Sequence, residues 1–237
     1  MIKKEQPSAF DRCFNRTARR IGKVNTVFEE VRIHILRGDM AGAHEAAFEF
    51  ADQTERLTLL ARVLPEYSGH PKAKARVEDA ILKVFPIQIG FTEEGWFCLK
   101  FPALMPKKNR GSPAYISDPL YPAMARFWRG KQPIRYPDNV IIFRHVYHRD
   151  RPERQYRDHD NTELSMILDI VALYVMADDS PMRCRHYYCS ASGDGDRTEV
   201  YVVPRTEFTE WLILENSMDG DGVPLYENKP EKGKKHM

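Results

Sequence analysis

Clustered aspartates give this chain its clearest chemical signal. The run Asp158-His159-Asp160-Asn161 is followed by Asp178-Asp179, with an apolar helical pattern between the two groups. Metal-dependent nucleases collect carboxylates in this way, because hard oxygen ligands suit Mg²⁺. Asp158 and Asp160 are two residues apart and can face the same ion. A straight helix would hold the two acidic groups about 25 Å apart. A shared ion therefore requires either that the helix stops early and the chain doubles back, or that Asp179 belongs to a loop beside the sheet.

The acidic run is flanked by basic side chains. The net charge of the chain is only +2, so its total charge does not mark a nucleic-acid binder. The distribution of charge, however, does indicate nucleic-acid binding, because one guanidinium group can bind two oxygens of a phosphodiester at once. The residues that we predict to contact DNA are Lys107, Lys108, Asn109, Arg110, Arg149, Arg151, Arg154 and Arg157.

Composition excludes several classes of protein. Hydrophobic residues make up 42% of the 237 residues and charged residues 30%, as in soluble globular proteins. The N-terminus lacks the apolar segment of a signal peptide, and no run approaches eighteen apolar residues. We therefore expect a cytoplasmic protein without a membrane partner. The four cysteines form no Cys-x-x-Cys pair, which speaks against a zinc site or a disulfide framework.

The elements that must position these residues follow from hydrophobic periodicity. Apolar residues at helical spacing predict a helical region over residues 1–86. Over 87–216 we predict an α/β (α+β) domain with a mixed sheet and packed helices. Its predicted elements are a hairpin within 87–101, a proline-rich loop over 102–119, a helix at 121–128, a strand at 139–147, a helix from Leu164, a second hairpin over 182–203 and a helix at 205–216. The composition of 217–237 predicts a disordered tail.

These motifs, in this order, resemble the RusA family of Holliday junction resolvases. That family has an Asp-x-Asp-Asn motif that opens a helix, then an Asp-Asp pair, then a strand; here they are Asp158 to Asn161, Asp178-Asp179 and 182–190. Upstream, strand 96–101 with Pro106-Lys107-Lys108-Asn109 is similar to the first strand and the Pro-x-x-Asn loop of the family. The resemblance covers roughly residues 95–204.

The resemblance implies a dimeric endonuclease that cuts branched DNA and depends on Mg²⁺ or Mn²⁺. Asp158, Asp160 and Asp179 would be the catalytic metal ligands, with Asp178 as a further candidate. We also expect the protein to come from a mobile element.

One position departs from the family pattern. A lysine follows the second aspartate of the motif by four residues in the family, and here that position is Leu164. Lys107, Lys108, Arg154 or Arg157 could supply the missing charge. The alternatives are a catalytically inactive RusA-like module that binds DNA or protein, and a structural adaptor.

Two further alternatives stay open. Asp160 with Glu163 also fits a helix-capping box, which needs no metal. The N-terminal helical region could pack as an appendage on the nuclease-like domain or on a second copy, or it could be an arm that positions DNA or binds a partner.

Overall fold

The architecture is α+β, with the helices of the N-terminal region preceding a mixed sheet. The computed structural model describes residues 6–105, 114–152, 156, 164–218 and 222–230. Its backbone contacts divide into two units, residues 1–80 with 109–115 and residues 81–108 with 116–237. The helices are α1 (Ala9–Leu36), α2 (Met40–Val63), α3 (Ala73–Val84), α4 (Ala114–Phe127), α5 (Ser165–Val175) and α6 (Phe208–Ser217). The strands are β1 (Gln88–Phe91), β2 (Phe97–Phe101), β3 (Asn139–His148), β4 (Cys184–Gly193) and β5 (Arg197–Pro204).

The first unit is built on an antiparallel pair of long helices. α1 begins with a capping box, in which Ser8 and Asp11 each accept the backbone N–H of the other. Gly38 has a positive φ of 68° and permits the tight reversal into α2. Val24 and Val27 of α1 are buried, and Phe28 packs on Phe50 of α2 with ring centroids 5.3 Å apart. A 3₁₀ turn, Leu64–Ser68, follows α2.

The second unit contains the sheet, whose strand order is β1-β2-β5-β3-β4. β3 pairs in parallel with β4 and antiparallel with β5, and the remaining pairs are antiparallel. Nine of the ten residues of β3 are buried, as expected for a strand covered on both faces. The hairpin predicted over 182–203 is therefore wrong, because the apolar β3 lies between β4 and β5 and pairs with both.

Helices cover both faces of this sheet. On one face, Tyr201 and Ile142 pack with Trp211 of α6, which is fully buried. On the opposite face, Phe97 stacks on Trp128, which follows α4, and Trp128 stacks on Tyr174 of α5. The sheet therefore forms the middle layer of the unit.

Two segments differ from the sequence prediction. α4 begins at Ala114, inside the predicted loop over 102–119, and it accommodates Pro119 and Pro122. Residues 222–230 belong to the second unit, where the composition predicted a disordered tail. Tyr226 exchanges two backbone hydrogen bonds of 2.8 Å with Phe91 of β1, and Val223 and Leu225 pack on the core. Pairing with an edge strand thus orders a polar segment.

No helix among the described residues is long and apolar enough to cross a membrane.

Candidate functional site

The helix α5 separates the two predicted acidic groups. Ile167, Val171 and Val175 are buried at helical spacing. Its N-cap position is occupied by Leu164, whose side chain forms no capping hydrogen bond. Asp160 and Glu163, the two residues of the alternative capping box, lie outside the described residues. Asp158 also lies outside the described residues.

Asp178 and Asp179 lie just beyond the C-terminal end of α5 and are exposed. The carboxylate of Asp178 accepts hydrogen bonds from Ser180, 2.5 Å from its hydroxyl and 3.2 Å from its backbone nitrogen. These bonds lower the pKa of Asp178, so it is ionised at neutral pH. Asp179 forms no hydrogen bond or ion pair with its side chain within the described part of the chain. It therefore presents an available oxygen ligand.

The topology fixes where this pair sits. Met176 bridges to Tyr136, and Cys184 of β4 is paired with Asn139 of β3. Asp178 and Asp179 are therefore at the N-terminal ends of β3 and β4. The 11 residues of α5 rise about 16 Å, so Asp179 and the chain that enters α5 are at opposite ends of this helix.

The two predicted DNA contacts within the described residues are engaged in ion pairs. Arg149 lies 3.0 Å from a carboxylate oxygen of Asp194, and Arg151 binds both carboxylate oxygens of Asp196. The side-chain hydrogen bond to Asp196 raises the pKa of Arg151. These pairs hold the connection between β4 and β5, so phosphate would have to compete with the two aspartates. The other predicted contacts, Lys107, Lys108, Asn109, Arg110, Arg154 and Arg157, lie outside the described residues.

The donor set fits a hard divalent cation in type, since all four predicted ligands are carboxylates. Within the described ranges, however, no three His, Cys, Asp or Glu side chains are grouped closely enough to hold a metal. Of the predicted ligands these ranges contain only Asp178 and Asp179.

A buried charged cluster, which the sequence did not predict, lies on the face of the sheet that α6 covers. Glu199 of β5 is fully buried and accepts hydrogen bonds of 2.8 Å from Arg144, Arg197 and Tyr201. Burial alone would raise the pKa of Glu199, but the charges and hydrogen bonds of the two arginines outweigh it and lower the pKa. The sequence feature that could have revealed this cluster is a charged residue within an apolar run, at Arg144 in β3 and at Glu199 in β5.

An open cleft of about 330 Å³ lies beside this cluster, lined by Pro86, Gln88, Lys100, Phe101, Pro102, Gly195, Asp196 and Arg197. Lys100 is paired with Glu199 across β2 and β5, and its ammonium donates to the carbonyl of Val223 at 2.7 Å. Gly222 comes so close to the cluster that a Cβ there would be 2.5 Å from Glu199 Oε1. The beginning of the segment 222–230, at Gly222 and Val223, therefore lies against the cluster.

Comparison with known proteins adds a family but no activity. The chain matches a family over residues 4–229, and that family is described as "Family of unknown function (DUF6100)". No curated protein matches the chain.

Proposed function

Since the chain belongs to the DUF6100 family, whose function is unknown, we propose a function from its own residues. In this proposal the protein is a divalent-metal-dependent endonuclease that acts on branched DNA. The order of elements around the acidic groups carries the proposal. In the second unit, β3 leads to the acidic run, then come α5, the Asp178-Asp179 pair and β4. This is the order that the RusA-like resemblance implies.

Each acidic residue has a role in this proposal. Asp158, Asp160 and Asp179 would hold Mg²⁺ or Mn²⁺, with Asp178 as a further ligand. Such an ion supplies a Lewis acid for a phosphodiester oxygen and lowers the pKa of a water molecule. Asp179 supports the role because its carboxylate is exposed, and Asp178 supports it because its lowered pKa keeps it ionised. The basic flank would hold the DNA backbone in register.

The proposal makes a geometric demand. Because α5 rises about 16 Å between its ends, Asp179 can share an ion with Asp158 and Asp160 in one of two ways. Either the chain before Leu164 returns along α5, or the two sides of the site come from two copies of the protein.

A homodimer is part of the proposal, and an apolar row on α1 supports it. Phe14, Ile21, Phe28 and Ile35 recur every seven residues and are 53%, 45%, 52% and 55% exposed. A strict seven-residue repeat keeps one face of a helix against a partner helix over several turns. We therefore propose that α1 of a second copy packs along this row.

A second candidate, a DNA-binding module without catalysis, is favoured by Leu164. Leu164 is only 7% exposed. The RusA family pattern has a lysine at this position. A buried aliphatic side chain offers no charge to a reacting phosphate. Such a module would bind four-way junctions with a strong dependence on salt and would not cut them.

Cleavage of a labelled four-way junction separates the candidates. With Mg²⁺ or Mn²⁺ we expect cutting by the wild type and a loss of about 100-fold or more in Asp160→Asn and Asp179→Asn, since even outer-shell partners of a metal cost about 10- to 100-fold. The matched control is Asp169→Asn, which removes an exposed carboxylate in the middle of α5. Unchanged cutting by Asp160→Asn refutes the endonuclease. Salt-dependent binding without any cutting by the wild type supports the second candidate, and no binding at low salt supports a structural adaptor.

A further inference from the structure

An arginine row follows one face of the N-terminal part of α1. Residues 9–28 carry five basic side chains and one acidic side chain, although the whole chain has a net charge of only +2. Arg12, Arg16 and Arg19 are at i, i+4 and i+7, so they share one face of the helix. At 1.5 Å per residue the row is about 10 Å long.

Among the described residues these three guanidinium groups meet little negative charge, since Arg12 interacts electrostatically only with its neighbour Asp11. None of the three is in an ion pair with a described carboxylate, unlike Lys23, which lies 3.5 Å from Glu49. Asp11, the one acidic residue nearby, accepts hydrogen bonds from both the backbone nitrogen and the hydroxyl of Ser8. Arg12 donates to the carbonyl of Pro7 and Arg19 to that of Asn15, each with one of its five N–H groups. Most donors of the row therefore point to solvent.

The row is not on a convex surface, because it lines a cleft of about 470 Å³. The walls of this cleft are Pro7, Ala9, Arg12, Asn15, Arg16, Arg19 and Tyr67. Tyr67 comes from the 3₁₀ turn after α2, and this residue is 43% exposed. The cleft thus combines three cations, one amide and one accessible aromatic ring, without a carboxylate among its lining residues.

We propose that this cleft binds single-stranded nucleic acid. Proteins that bind single strands combine a positively charged groove, which follows the backbone, with aromatic rings on which bases stack. The arginine row is long enough for more than one phosphate, and Tyr67 lies beside it as the stacking surface. In a duplex only the edges of the bases are accessible. The phosphates of a duplex could therefore contact the arginines, but its bases could not stack on the ring of Tyr67. The proposal takes from the proposed function only that the partner is nucleic acid, and it needs no metal.

The test is the anisotropy of a fluorescein-labelled oligo(dT) 20-mer, titrated with the full chain in EDTA at several salt concentrations. For single strands, the slope of log K against log salt becomes smaller in magnitude by about 0.7 for each phosphate contact that is removed. We therefore expect the triple variant Arg12→Gln, Arg16→Gln, Arg19→Gln to reduce the slope by about 2 and to weaken binding about tenfold or more at 50 mM salt.

Two further variants and a control isolate the chemistry. Tyr67→Ala should weaken binding about fivefold or more, whereas Tyr67→Phe should keep it, since stacking needs the ring and not the hydroxyl. The control is Arg32→Gln with Arg56→Gln, which removes arginines of the same unit that are already paired with Glu29 and Asp52. We expect the control to bind within about twofold of wild type, because a charge already neutralised by a carboxylate adds little to phosphate binding.

Several outcomes overturn the proposal. They are no binding of oligo(dT) by the wild type, a triple variant that binds like the control, or a duplex of equal length that loses as much affinity as the single strand on Tyr67→Ala. Circular dichroism checks that the variants fold. If the triple variant does not fold, protection of these arginines from phenylglyoxal by oligo(dT) in the wild type decides instead, and unprotected arginines refute the site. Binding in EDTA is independent of cleavage, so failure here and failure of the Asp160→Asn test are distinguishable.

Discussion

The buried carboxylate of Glu199 offers a sharp test of how the second unit is stabilised. Glu199→Gln keeps the shape of the side chain and removes its charge. Arg144, whose side chain is 2% exposed, then keeps its charge in the interior without the carboxylate that accepts its hydrogen bond at 2.8 Å. The amide nitrogen of the new glutamine would also face a donor of either Arg144 or Arg197.

The magnitude follows from this geometry. Removing one partner of a buried ion pair costs about 3–5 kcal/mol, because the other charge is left uncompensated. With a denaturant slope of about 2–3 kcal/mol per molar urea, the unfolding midpoint should fall by about 1–2.5 M. Replacing Arg144 by methionine in the same chain should recover part of the loss, since the uncompensated charge is then gone.

The pH dependence has a defined sign. The arginines lower the pKa of Glu199 in the folded state below the ordinary value of 4.5. The stability from this pair is therefore fully present well above pH 4.5 and is lost as the pH falls through the lowered pKa of the folded protein. The difference between wild type and Glu199→Gln should shrink over the same interval.

Urea unfolding, followed by tryptophan fluorescence at pH 7 and at stepwise lower pH, measures both effects. Trp96 and Trp211 are buried in the core beside the cluster and report on the second unit. The control is Glu210→Gln, which removes an exposed carboxylate from α6 and should change stability by less than about 0.5 kcal/mol. A loss below about 1 kcal/mol for Glu199→Gln at pH 7, or a loss that is unchanged down to pH 3, would refute the reasoning.

Three other predictions concern single positions. Gly222→Ala should destabilise the folded protein by about 1–3 kcal/mol in thermal unfolding, because the φ of Gly222 is +71° and a Cβ there would meet Glu199. Gly195→Ala is the control and should not destabilise it, because a Cβ at Gly195 has nothing within 4 Å. Equal losses for the two variants would contradict this prediction. Burial raises the pKa of Cys184 to about 11 from 9.0, so at pH 8 its thiolate fraction is about 100-fold lower than in urea, and a thiol reagent should react correspondingly more slowly. Ile21→Lys should give a monomer by light scattering if α1 pairs with a second copy; a dimer unchanged by this substitution excludes the row.

Sequence reasoning recovered elements whose signal is local. The apolar run of β3, the hairpin of β1 and β2 and the apolar face of α5 are all written in the periodicity of a few residues, and their positions agree with the structure. Strand pairing is not local. The turn residues Gly193 to Gly195 look the same whether the strands on either side pair with each other or straddle a third, so the position of β3 between β4 and β5 could not be predicted.

The candidate site shows the same division. The place of Asp178 and Asp179 after α5 followed from the apolar helical pattern that precedes them. The charged cluster did not, because Arg144 and Glu199 are 55 residues apart and meet only when β3 and β5 pair. The cleft beside Tyr67 likewise needs a residue that packs against α1 from beyond α2. Tertiary contact, rather than residue type, creates both features.

The strand order β1-β2-β5-β3-β4 also constrains when the sheet can form as the chain is synthesised. Among the described residues β5 is the last of the five strands in chain order, yet it is the link between the pair β1-β2 and the pair β3-β4. A nascent chain that ends before Arg197 contains two strand pairs with no strand to join them, so the sheet cannot close until β5 has left the ribosome. Its pairings with β2 and β3 then close loops of about 50 to 100 residues, which are slow steps in folding. Until that moment the apolar edges of β2 and β3 remain open to other chains.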